Sequence, residues 1–170
     1  AYIQSNVIAG SQNDMSSNGR RDADFIVDNT GDTVTVDRDD AVETVYSSTD
    51  FVLPDNVDHL TLTGDLDIDA TGNALNNIIT GNAGDNRLEG GGGVDRLIGG
   101  AGDDLYLGAR DVVENVDEGI DTVLFGASYT LTDNVENLYT SSVTRGSAIN
   151  FIGNELDNYI SVENGWGAVN

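Results

Sequence analysis

From Gly72 onward the sequence repeats every nine residues, and so short a period dictates a solenoid before any other feature is weighed. The blocks are GNALNNIIT (72–80), GNAGDNRLE (81–89), GGGGVDRLI (90–98) and GGAGDDLYL (99–107). Position one is always Gly, position six is Asn77, Asn86, Asp95 or Asp104, and position eight is Ile79, Leu88, Leu97 or Tyr106. The register reappears unevenly at 10–27, where Asp24 and Ile26 hold positions six and eight, and again at 153–161 with Asn158 and Ile160. Between the clusters, ETVYSSTDFVLPDNVDHL (43–60) resembles DTVLFGASYTLTDNVENL (121–138), so the chain is about two copies of a longer unit.

Such a block is half turn and half strand. Glycines allow the turn half to wind tightly, and only the eighth side chain has to point inward. Two blocks then complete a coil of about 18 residues. The expected fold is all-β, a right-handed parallel β-roll or β-solenoid cored by a column of Leu, Ile and Tyr, with β-rich connectors. One elongated domain spans 1–170: degenerate repeats over 1–27, a connector over 28–71, core repeats over 72–107, a second connector over 108–152, and a terminal repeat with its cap over 153–170. Period-two alternation predicts strands at Thr33–Val36, Leu60–Thr63 and Leu66–Asp69, and the acidic stretches 37–40 and 115–119 predict turns.

Stacking coils places the sixth residue of one block beside that of the block two later, Asn77 near Asp95 and Asn86 near Asp104. Carboxylates stacked in this way repel unless a cation lies between them. The ligand set is all oxygen, which suits Ca²⁺ first and Mg²⁺ second. Asn77 and Asn86 are read either as ligands or as turn formers tolerant of left-handed backbone. Asp85 and Asp103, at position five, are expected to point outward.

These blocks resemble the repeats-in-toxin (RTX) calcium-binding nonapeptide, GGxGxDxUx, most fully over 90–107. The resemblance implies ions between stacked turns. Each would be held by carbonyls at positions two and four and the sixth side chain of one turn, and by carbonyls at one and three and the sixth side chain of the turn above. It implies one site from Asn73, Leu75 and Asn77 with Gly90, Gly92 and Asp95. A second would join Asn82, Gly84 and Asn86 to Gly99, Ala101 and Asp104. Two more would begin from Gly91, Gly93 and Asp95, and from Gly100, Gly102 and Asp104. Their upper partners leave the pattern, because Val113 holds the next sixth position, and Asp111 is offered as the substitute. Near the N-terminus, Arg20, Asp22 and Asp24 would open a further site whose upper half the sequence does not identify.

Charge narrows the partners. With 30 acids against 7 basic residues, all arginine, the chain repels nucleic acid and anionic membranes. No Cys is present for disulfide, thiolate or iron–sulfur chemistry. No apolar run approaches the roughly 18 residues of a spanning helix, so membrane insertion is not expected. The single His59 lacks a constellation for catalysis, and no enzyme activity is expected. The start at Ala1-Tyr2-Ile3 reads as a piece of a longer protein. The expected role is a calcium-binding module of a larger secreted bacterial protein, extracellular or on the cell surface, that folds on meeting Ca²⁺ outside the cell. Family membership would imply type I secretion. The alternatives are a calcium-dependent self-association or adhesion module, and a non-catalytic accessory of a secreted carbohydrate-active enzyme or lipase. Expected partners are calcium ions, neighbouring domains of the parent and further copies of the chain.

Overall fold

The protein is described by a computed structural model over residues 14–17, 23–36, 42–140 and 149–162. Within these residues every regular element is a strand and every strand pair is parallel. Successive strands cross from one sheet to the other, as the two-block coil requires. One sheet runs β2 (Ala23–Val27), β4 (Glu43–Ser47), β6 (His59–Leu62), β8 (Ile78–Thr80), β10 (Arg96–Ile98), β12 (Asp111–Val113). The facing sheet runs β5 (Phe51–Val52), β7 (Ala70–Thr71), β9 (Arg87–Glu89), β11 (Leu105–Leu107), β13 (Thr122–Leu124), β15 (Asn137–Thr140), β17 (Tyr159–Val162). Two short pairs, β1 (Asp14–Ser17) with β3 (Thr33–Val36) and β14 (Tyr129–Thr130) with β16 (Phe151–Ile152), complete the set. The result is a parallel β-solenoid of about seven turns, consistent with a right-handed β-roll.

The core is two columns of side chains in strand register. Phe25, Val45, Leu60, Ile79, Leu97 and Val112 stack in one sheet. Ala70, Leu88, Tyr106, Val123 and Leu138 stack in the other. Because a strand presents alternate residues to alternate faces, a three-residue strand supplies one inward side chain, and position eight of each block fills that place. Ile79, Leu88, Leu97 and Tyr106 are all 0% exposed. Leu97→Ala removes one rung between two fixed neighbours that cannot close the gap. It is expected to cost about 2–5 kcal/mol, read as a lowered urea midpoint at saturating Ca²⁺.

The connectors obey the same geometry. Asn56 and Asn134, the shared Asn of the two DNV turns, take left-handed backbone at φ 66° and 65°. Each side chain donates to a carbonyl of the coil below, Asn56 Nδ2 to Val36 O and Asn134 Nδ2 to Glu114 O, both at 2.9 Å. The predicted strand at 33–36 forms, the one predicted at 60–63 forms one residue earlier as His59–Leu62, and 115–119 is a turn with Asp117 at φ 64°. Leu66–Asp69 forms no strand. There the carbonyls of Leu66 and Ile68 accept side-chain amides from the coil above instead of entering a ladder, and Leu66 is 64% exposed. The stretch 37–40 and the terminal cap after 162 lie outside the described residues.

Candidate metal centre

Asn77, Asn86, Asp95 and Asp104, with their connector equivalents Asp121 and Glu136, each sit two residues before a buried core side chain, where strand begins and turn ends. The side chain there lies between coils. Asn77 N–H donates to Asp95 Oδ1 at 2.9 Å and Asn86 N–H to Asp104 Oδ1 at 2.7 Å. The same bond continues upward from Asp104 N–H to Asp121 Oδ1 (2.9 Å) and from Asp121 N–H to Glu136 Oε2 (2.8 Å). One oxygen of each carboxylate is thus committed to backbone, and the other is left for something else. The position-five acids behave as expected: Asp85 and Asp103 are exposed, and their side chains accept N–H groups of Asp103 and Ile120.

The glycines bring carbonyls to these side chains. A Cβ on Gly72 would collide with Gly90 O and Asn77 Oδ1, and one on Gly81 with Gly99 O and Asn86 Oδ1. Gly91, Gly93, Gly100 and Gly102 all adopt positive φ, and each lies against a carbonyl below, of Asn73, Leu75, Asn82 and Gly84 in turn. Side chains there are excluded both by backbone angle and by space. The residues expected to form the two lower sites are therefore adjacent across coils. Gly92 N–H bonds Asn73 O at 2.8 Å, and Ala101 is an exposed turn residue between Gly100 and Gly102.

Above Asp104 the pattern changes, and the sequence expectation needs correction. The nine-residue count falls on Val113, and Asp111, the substitute offered for it, stands on the exposed outer face, 2.9 Å from Arg96 Nη1. The reason is a shortened coil: Arg96 pairs with Asp111, 15 residues on, where Ile78 pairs with Arg96 18 on. The residue before Asp111 is the exposed Arg110, whose guanidinium lies 4.6 Å from the Phe125 ring centroid. On the other sheet the register delivers Asp121 above Asp104. Of the N-terminal candidates, Arg20 and Asp22 lie outside the described residues, and Asp24 is an exposed residue of β2.

Asp104, Asp121 and Glu114 form a buried group that the sequence reading did not contain. Candidate ligand atoms of the three lie within 4.8 Å of one another. Their residues are 1%, 1% and 7% exposed. A Cβ on Gly99 would meet Tyr106 OH, Asp104 Oδ2 and Glu114 Oε1 at once, so these atoms converge over that glycine. Asp104 Oδ2, both Glu114 oxygens and the Tyr106 hydroxyl are buried without a hydrogen-bond partner. The ion pairs Arg87–Glu89 and Arg96–Asp111 lie at the surface and involve none of these atoms.

The electrostatic consequence is severe. Burial raises the Glu114 carboxyl to about 9, with the charges of Asp121 and Asp104 adding to it. Burial also raises Asp104 to about 7 and Asp121 to about 6, against the lowering effect of the N–H bonds they accept. Asp95 is raised by burial as well. Buried anions at this density require protons or a cation. An all-oxygen, multiply charged pocket with spare lone pairs fits Ca²⁺, whose coordination is large and irregular. Asp104, Asp121 and Glu114 would hold the ion, and the ion would supply neutralising charge.

The RTX calcium-binding nonapeptide repeat matches residues 71–106 in four copies. No curated protein and no solved structure matches the chain. Residues 71–106 are RTX repeats, and repeats of this family bind Ca²⁺.

Proposed function

We propose that this chain is a structural calcium-binding module of a larger secreted protein, ordered by ions that enter between its coils and carrying no catalysis of its own. The observation that carries the reading is the convergence of Asp104 Oδ2 and the Glu114 carboxylate, buried and unpartnered, on Gly99. Below them the ions would lie between Asn73, Leu75, Asn77 and Gly90, Gly92, Asp95, and between Asn82, Gly84, Asn86 and Gly99, Ala101, Asp104. The formal charge of -23 works in the same direction. Where Ca²⁺ is scarce, self-repulsion opposes the compact roll; at extracellular calcium, binding to the folded state stabilises it by linkage.

Calorimetric titration with Ca²⁺, followed in parallel by far-ultraviolet circular dichroism, tests this. Saturable binding with a gain of β signal is expected, and Mg²⁺ at equal concentration should reproduce little of it. A chain that shows no heat of binding and identical spectra in Ca²⁺ and EDTA would falsify the reading.

A further inference from the structure

The nonapeptide loops come in two kinds, distinguished by what they present to the coil beneath. In loops 90–95 and 99–104, position two is Gly and position six is Asp. In loops 72–77, 81–86 and 153–158, positions two and six are both Asn. No loop among these five mixes the two.

The asparagine loops share one hydrogen-bond plan. The position-two side-chain oxygen accepts the N–H two residues on: Asn73 from Leu75 (2.8 Å), Asn82 from Gly84 (2.9 Å), Asn154 from Leu156 (3.0 Å). That local turn replaces the positive-φ glycines of the other kind. The position-six oxygen accepts the N–H of position two, at 2.8 Å in Asn77 and Asn86 and 2.7 Å in Asn158.

With both oxygens engaged inside the loop, the amide groups point down. Asn73 Nδ2 donates to Pro54 O (2.7 Å) and Val57 O (2.8 Å), and Asn77 Nδ2 to Val57 O and Asp58 O (both 3.0 Å). In the second copy Asn154 Nδ2 donates to Thr132 O (2.6 Å) and Val135 O (2.7 Å), and Asn158 Nδ2 to Val135 O (3.1 Å) and Glu136 O (3.4 Å). The middle loop does likewise, Asn82 to Leu66 O and Asn86 to Ile68 O, each at 3.0 Å.

Carbonyls gathered at a coil boundary need either N–H donors or a cation. We propose that the paired asparagines are built-in, metal-free closures. Their amide hydrogens occupy the carbonyls of the coil below, so each nonapeptide cluster is seated on its connector without an ion, and calcium enters only above it. The inference rests on the calcium reading for the aspartate loops and adds where binding begins. Position two, not position six alone, then decides whether a coil boundary takes a metal: Gly with Asp takes one, and Asn with Asn excludes it.

The test uses Asn154, which is assigned to no ion. Asn154→Ala is expected to lower the urea midpoint by the same amount at every calcium concentration at which the parent is folded. The folded-to-unfolded ratio should fall about tenfold or more for the lost side-chain bonds, two to the coil below and one from Leu156 N–H, with the calorimetric ion count unchanged. Asn154→Asp keeps the size but turns a carboxylate toward Thr132 O and Val135 O. Its midpoint should fall furthest at the lowest calcium and recover as calcium is added. Loss of a bound ion in Asn154→Ala, or an Asn154→Asp protein as stable as its parent throughout, overturns the proposal. A parent that binds no Ca²⁺ overturns instead the calcium reading, while the midpoint loss of Asn154→Ala is read without the ion.

Discussion

Glu114→Gln is expected to stabilise the metal-free protein and to weaken what calcium adds, so that one substitution has opposite signs in EDTA and in Ca²⁺. In the parent, Glu114 at neutral pH must either keep a proton that solution would remove or hold a charge among Asp104 and Asp121. With its carboxyl raised to about 9, that penalty at pH 7.5 is roughly a few kcal/mol. An amide has nearly the same shape, carries no charge, and offers hydrogens to the unpartnered Asp104 Oδ2. In calcium the balance reverses, because a ligand has been lost. Binding at 100 times its dissociation constant stabilises by about 2.7 kcal/mol per site, and that gain should shrink by most of its value. Urea midpoints of parent and variant in EDTA and in Ca²⁺ provide the check. A variant less stable than its parent in EDTA would remove Glu114 from the group.

The pH dependence of the metal-free protein follows from the same three carboxyls. Their pKa values are higher folded than unfolded, so the folded state keeps protons that the unfolded state releases. Below about pH 4 both states are protonated and the difference vanishes. As pH rises, stability falls, through about 6 for Asp121, 7 for Asp104 and 9 for Glu114. The metal-free roll is therefore expected to be distinctly more stable at pH 5 than at pH 8. Saturating Ca²⁺ should flatten or reverse that slope, since the ion takes the place of the protons. Binding at pH 7 should then release protons, visible as a heat that varies with the ionisation enthalpy of the buffer. General self-repulsion also eases at low pH, so the slope is read against Glu114→Gln, in which it should be shallower. A metal-free midpoint that is level or rises from pH 5 to pH 8 would contradict the buried cluster.

The roll itself was readable because its two strictest demands fall at fixed places in the repeat. A three-residue strand exposes one side chain to the core, and Ile79, Leu88, Leu97 and Tyr106 mark it. Extrapolating the count of nine past Gly108 failed, because the coil there loses three residues on one face and one on the other. Ile78 to Arg96 is 18, but Arg96 to Asp111 is 15 and Leu105 to Thr122 is 17. The better guide was a polar residue two places before a buried apolar one. Asp95 precedes Leu97, Asp104 precedes Tyr106, and by the same rule Asp121 precedes Val123 and Glu43 precedes Val45. Glu114 had no such mark. Its only trace is a difference between the copies: the equivalent position 78 residues earlier is Val36, also buried. The direction of the asparagine amides was equally hidden, since Asn serves a turn or a ligand with the same spacing.

The two kinds of loop make the module adjustable in length. Its lower boundary is set by asparagine loops on a connector, and its upper one by a shortened coil on one face and the Asp104–Glu114–Asp121 group on the other. The aspartate coil between them, Gly90 to Leu107, is 18 residues long and carries both of its boundaries within its own sequence. Inserting copies of that stretch would move the ends apart by about 4.8 Å each, and leave the chemistry of both ends as it was. The repeat thus works as a ruler whose graduations are coils, and a protein built from it can change its reach without redesigning its terminations.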